Sequence, residues 1–109
     1  MRKKKLAEMI GGWFVGDITP VALSTPACEV AVKKYEAGAF DTWHFHKVAT
    51  EVTVIVEGEV EMNGVRHSAG DILVIPPGEG TDFRCLTAVT TVVVKVPGAK
   101  NDKYLEGQE

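Results

Sequence analysis

Residues 38–58 read Gly-Ala-Phe-Asp-Thr-Trp-His-Phe-His-Lys-Val-Ala-Thr-Glu-Val-Thr-Val-Ile-Val-Glu-Gly. His44 and His46 stand two apart in a stretch rich in β-formers, so an extended chain sends both imidazoles out on one face. Glu51 opens the next alternating apolar run. A turn through 47–50 brings its carboxylate back toward the rings, adding the negative charge that a divalent ion favours. Two of the three histidines in the chain are placed at this spacing, which makes them half of a candidate metal site.

On either side, the chain is a series of short β-type runs. Cys28, Val30 and Val32 alternate with Glu29, Ala31 and Lys33, and Val60 and Met62 alternate with Glu59 and Glu61. Asn63-Gly64 tolerates positive φ at both positions of a two-residue turn, so Val65 to His67 returns as the second arm of a hairpin. Residues 72–75 end at Pro76-Pro77-Gly78, which cannot continue a ladder. Residues 89–96 are apolar enough to be covered on both faces. Many short strands with Gly and Pro between them indicate an all-β sandwich or barrel. Helix has room only for a turn or two in residues 4–10, and the polar tail 97–109 is expected to lie over the surface.

With 109 residues, 45% of them apolar and 25% charged, the sequence reads as a single domain, 1–109, whose core spans about 27–97. A net charge of −3 and a pI near 5.6 offer no broad basic surface. The basic residues Arg2 to Lys5 form a short solvated arm, so no nucleic-acid partner is expected. Glu8 interrupts the apolar part of a would-be secretion signal, and no run approaches membrane-spanning length. A cytoplasmic setting without membrane attachment is the expectation. Cys28 and Cys85 then read as reduced, small hydrophobes, a single bridge between them being the lesser alternative.

The spacing of Gly38, His44, His46, Glu51 and Gly58 resembles the first motif of the cupin family, and Gly70, Pro76 and Gly78 match the opening of its second. The resemblance covers residues 38–85 and implies an antiparallel jelly-roll β-barrel, with short terminal extensions, whose mouth holds a metal or a small ligand. The chain departs from the pattern at Thr81, where the family has a fourth ligand, His, and at Cys85, where Asn is common. A threonine hydroxyl is a poor ligand for a borderline ion. What remains is His44, His46 and Glu51, for a divalent transition metal such as Fe, Mn, Zn, Ni or Cu.

By parity, Thr53 and Ile55 follow Glu51 on its own face as pocket floor, and Thr81, Phe83 and Cys85 share a face of their strand. Cys85 lies about 13 Å from Thr81 at roughly 3.3 Å per residue. Asp82 points the other way, and Arg84, Asp82 and Glu79 read as solvated charges. His67 is an exposed hairpin residue on this reading, a pocket position being the lesser alternative. Trp43 and Phe45 face away from the metal side and need a cover: the amino-terminal segment with Trp13 and Phe14, or a second subunit, so a homodimer is expected.

Two functions stand open. One is a metal-dependent enzyme, dioxygenase- or isomerase-like, acting on a small oxygen-rich molecule. The other is a non-catalytic small-molecule or sugar-binding cupin serving as sensor or accessory module. No catalytic acid–base residue is assignable from the sequence. Tyr35 and Tyr104 are candidates whose direction the sequence does not fix.

Overall fold

The computed structural model describes residues 1–108. The strands are β1 (Trp13–Gly16), β2 (Leu23–Ser24), β3 (Glu29–Tyr35), β4 (Phe40–Phe45), β5 (Thr50–Glu57), β6 (Glu59–Met62), β7 (Val65–Ser68), β8 (Ile72–Ile75), β9 (Thr81–Cys85), β10 (Val89–Val96) and β11 (Tyr104–Leu105). Two single 3₁₀ turns, Leu6–Glu8 and Ile10–Gly12, are the helical elements among the described residues. The strands form a six-stranded sheet, ordered β2-β1-β3-β10-β5-β8, and a five-stranded sheet, ordered β11-β4-β9-β6-β7. Every pairing is antiparallel except the short β1–β2 one. This is the jelly-roll architecture that the motif spacing implies.

Alternation decides which residues face inward. Along β10, Val89, Thr91 and Val93 are buried while Thr90, Val92 and Val94 are half-buried, so this run is fully covered on its inner face only. Across the ladder, Thr91 pairs with Lys33 and Ile55, and Lys95 with Glu29 and Glu51. Directly paired residues share a face, so Lys33, Thr91, Lys95 and Glu51 all point between the sheets. Toward one end, Ile55, Val60, Met62, Cys85 and Val89 close into an apolar core. The cysteines are free, Cys85 buried within that core.

The Asn63-Gly64 turn forms as the sequence indicates, with φ of 50° and 77°, the two positive values of a type I′ hairpin. Asp82 faces outward, where its carboxylate accepts from the Asn63 N–H at 2.7 Å, and the Asn63 side-chain amide donates to the Gly80 carbonyl at 2.9 Å. Those bonds pin the hairpin to β9. Gly80 itself lies against the Trp43 indole; a Cβ there would come within 1.9 Å of the ring.

Two expectations for the termini require correction. Trp13 does not cover Trp43 and Phe45 but turns into the space between the sheets, while Phe14 lies with Met9 and Val32 on the outer face of the larger sheet. Phe45 is instead covered by Tyr104, ring centres 5.5 Å apart, because β11 pairs with β4. The tail takes the place over Phe45 that the amino terminus was expected to fill. Nor does the tail merely lie over the surface. Asp102, 6% exposed, accepts from three consecutive backbone N–H groups, those of Lys47 and Ala49 at 2.9 Å and of Val48 at 3.1 Å.

Those three donors belong to the turn that carries the chain out of β4, in one sheet, into β5, in the other. Asp102 gives them their acceptor, and an unpaired buried N–H is costly. Burial alone pushes the Asp102 carboxyl up, but the donations from Ala49, Lys47 and Val48 and the nearby His46 outweigh it, and its pKa lies below the ordinary value. Asp102→Ala should therefore cost on the order of 2–4 kcal/mol, a fall in Tm of roughly 10 °C for a domain of this size. Asp102→Asn, which keeps an acceptor, should lose less. Because the folded carboxyl is the more acidic, this contribution is present above about pH 4 and is lost as the pH falls through the depressed value. Thermal melts of the three proteins from pH 7 to pH 3 measure both effects. Equal Tm for the wild type and the Ala variant would refute the anchoring role.

Candidate metal centre

Between the sheets lies a cavity of about 270 Å³. The larger sheet contributes Lys33 and Tyr35 from β3, Glu51 and Thr53 from β5, Thr91, Val93 and Lys95 from β10, and Trp13 from β1. The smaller contributes Asp41 and His44 from β4, His46 just beyond it, Met62, Thr81 and Phe83, and the tail adds Lys103. Residues 13 and 103 thus belong to the working barrel although they lie outside the expected core of 27–97.

His44 and His46 both reach the cavity. The register between β4 and β9 shifts between Asp41 and His44, and this bulge lets Asp41 face inward as well, which strict alternation forbids. His44 Nδ1 lies 3.0 Å from the Thr42 carbonyl. A carbonyl only accepts, so Nδ1 carries a proton and Nε2 is the nitrogen left to face a metal, the arrangement that orients a metal-ligating histidine. His46 is 6% exposed. Burial pushes its pKa down, Lys95 adds to the effect, and the negative charge of Glu51 opposes it, so the ring is the neutral species a metal requires.

The two rings stand 5.5 Å apart between centres, at 77°. An imidazole bound at about 2.1 Å puts its centre roughly 3.2 Å from the ion, so two rings at a near-tetrahedral angle have centres about 5 Å apart. The pair has the spacing of shared ligands. Glu51 lines the same cavity, but its carboxylate accepts from the Thr53 hydroxyl at 3.0 Å. Among the described residues, no three His, Cys, Asp or Glu side chains converge closely enough to hold an ion. The donor set fits a divalent cation in kind, with its carboxylate turned to a neighbour.

The remaining expected positions divide between wall and core. Thr53, Thr81 and Phe83 line the cavity, whereas Ile55 and Cys85 lie in the apolar core, where the inward rows of their strands have passed the cavity's end. Thr81 sits opposite His44 in the β4–β9 register, and its hydroxyl donates to the Asp82 carbonyl at 2.7 Å. His67 lies in the β6–β7 hairpin, on a separate surface groove.

Lys33, Asp41, Thr91, Lys95 and Lys103 were not singled out from the sequence, and Trp13 was expected elsewhere. The inward parity of β3 and β10 carried a signal for Lys33, Thr91 and Lys95; the bulge and the tail left none for Asp41 and Lys103. Tyr35, a candidate of unfixed direction, packs its ring 5.1 Å from Phe83 and lines the cavity. Burial, then the charges of Cys85, Asp41 and Glu51, push its pKa up to about 12, so it stays a neutral hydrogen-bond donor.

No protein-family model and no curated protein matches the sequence. Solved structures do match. An uncharacterized conserved protein with a double-stranded β-helix domain from Klebsiella pneumoniae is 24% identical, with a TM-score of 0.69 over 99% of this chain and 93% of that one. A cupin-2 domain protein from Shewanella frigidimarina is 20% identical, with a TM-score of 0.57 over 66% and 72%. A predicted oxalate decarboxylase from Thermotoga maritima is 26% identical, with a TM-score of 0.57 over 62% of this chain and 64% of that one. The chain has the fold of a small cupin.

The depressed His46 pKa sets a pH dependence. The unfolded imidazole takes up a proton near pH 6.5 and the folded one only at lower pH, so stability is full above that range and declines as the pH falls through the folded value. In chelator-treated protein, Tm should drop between pH 7.5 and pH 5.5, by up to about 1.4 kcal/mol of stability per pH unit. His46→Gln should flatten that slope; an unchanged slope would contradict the assignment.

Proposed function

We propose that the chain is a metal-binding cupin that acts on a small oxygen-rich molecule, with His44, His46 and Glu51 as the protein ligands. The observation that carries this reading is the pair of imidazoles at ligand spacing, one with its outer nitrogen already bound to a backbone carbonyl. To join them, Glu51 gives up the Thr53 hydroxyl, a rotation within its own strand position. A divalent ion held there supplies Lewis-acid polarisation of a ligand oxygen.

The protein's own groups supply the rest. Tyr35 is a neutral donor that fixes an acceptor atom of the ligand. Lys33, its pKa lowered by burial and by the neighbouring Lys95, holds its proton less tightly than an exposed lysine and can transfer it. The Phe83 and Met62 side chains exclude water from the cavity's inner end. The predicted oxalate decarboxylase of the same fold supports an enzymatic use of such a site. A second reading, a binding module without a metal, has one observation on its side: the third ligand is not closed onto the imidazoles.

Elemental analysis of protein purified without chelators should find close to one Fe, Mn or other divalent transition metal per chain. His44→Ala should lose it and melt at a lower temperature than the loaded wild type. A metal-free wild type whose Tm ignores added Mn²⁺, Fe²⁺ and Zn²⁺ would leave the binding module as the correct reading. Placing an imidazole opposite His44, as Thr81→His, should tighten metal binding roughly tenfold or more; competition with a metallochromic chelator measures it.

A further inference from the structure

The larger sheet turns a cationic wall toward the imidazoles. Lys33 and Thr91 are directly paired across β3 and β10, and Lys95 follows two pleats along the same inward row. Both ammoniums stand over the Trp13 ring, each 5.0 Å from its centre. Three lysines line the cavity against two carboxylates. Of the carboxylates, Asp41 is committed to Lys103 at 3.3 Å, and Glu51 takes the Thr53 hydroxyl. Lys95 lies between Glu29 and Glu51 in the ladder, yet among the described residues it closes an ion pair with neither. Lys33 donates to the Gly11 carbonyl at 3.0 Å, a neutral partner, and among the described residues it closes no ion pair. Trp13 partly relieves both cations through its ring face.

A second observation is independent of charge. The Thr91 hydroxyl, on a residue 1% exposed, has no hydrogen-bond partner among the described residues. A buried hydroxyl left unpaired costs about 1–3 kcal/mol, and its residue lines the cavity beside Lys33. Two ammoniums and an unused hydroxyl on one wall want a compact anion with more than one acceptor atom.

We propose that this wall is the seat of a carboxylate: the cavity takes a small organic acid whose carboxylate lies among Lys33, Lys95 and Thr91, with the rest of the molecule toward His44 and His46. The inference rests on the reading of this cavity as the ligand site and gives that ligand a chemical class. A volume of about 270 Å³, just below the usual range for ligand pockets, calls for a small acid. The crowding of Lys33 by Lys95, which lowers its proton affinity, is relieved when an anion enters.

The test is calorimetric titration of acetate, malonate, succinate, malonamide and inorganic phosphate into chelator-treated and Mn²⁺-supplemented protein, with metal content measured on the same samples. At least one acid should bind saturably to the chelated protein, malonamide should not, and phosphate should bind more weakly than the best acid. Lys95→Met and Lys33→Gln, each checked by thermal melting for a cooperative fold, should weaken that acid at least tenfold, and Thr91→Val severalfold. Failure of all three acids, equal binding of malonate and malonamide, tighter binding of phosphate, or undiminished affinity in folded lysine variants would overturn the proposal. Acid binding in protein that never takes up metal would preserve the carboxylate seat while removing the metal reading. Metal uptake without acid binding would do the reverse.

Discussion

Three consecutive backbone N–H groups, those of Lys47, Val48 and Ala49, converge on the carboxylate of Asp102. The turn they belong to is where the chain leaves one sheet for the other, so no strand can satisfy them. Their position decides how His46, just before the turn, faces Glu51, just after it. The same bonds tie the carboxy-terminal tail to the barrel, and with it Tyr104 over Phe45 and Lys103 beside Asp41. A cavity built from both sheets thus depends on one buried carboxylate donated by the tail.

The two sheets bring opposite chemistry to that cavity. The smaller presents two imidazoles, one oriented by the Thr42 carbonyl and the other kept unprotonated chiefly by burial. The larger presents ammoniums over an indole and an unpaired hydroxyl. A cation placed at the first wall and an anion at the second would attract one another at short range in a partly dehydrated space, where such interactions are much stronger than in water. Glu51, on the lysine wall, places its charge where it acts on both, raising the proton affinity of His46 and of Lys33.

The strand pattern, the Asn63-Gly64 hairpin and the spacing of His44, His46 and Glu51 were legible because each depends on residues close in sequence. Alternation is local, and so is the positive φ that Asn and Gly accept. The outward direction of Asp82 followed from the same parity. The contributions of residues 102 to 104 were not legible, because a short polar segment shows no periodicity and its role depends on meeting a turn some fifty residues earlier. Asp41 was hidden by a bulge, which adds one residue and reverses the parity. Trp13 read as a cover for other aromatics because an indole near a chain end resembles one; only the pairing of β1 with β3 turns it inward. Ile55 and Cys85 show the limit of parity, which gives the face of a strand but not how far along it a cavity ends.

The central claim, that two imidazoles and one carboxylate of this barrel share an ion, is tested most directly by a crystal structure of Mn²⁺-soaked protein with anomalous data. The account predicts a single anomalous peak at about 2.0–2.2 Å from the Nε2 atoms of His44 and His46, with the Glu51 carboxylate swung from Thr53 onto the ion. A cavity without such a peak, with Glu51 still accepting from the Thr53 hydroxyl at saturating Mn²⁺, would contradict it.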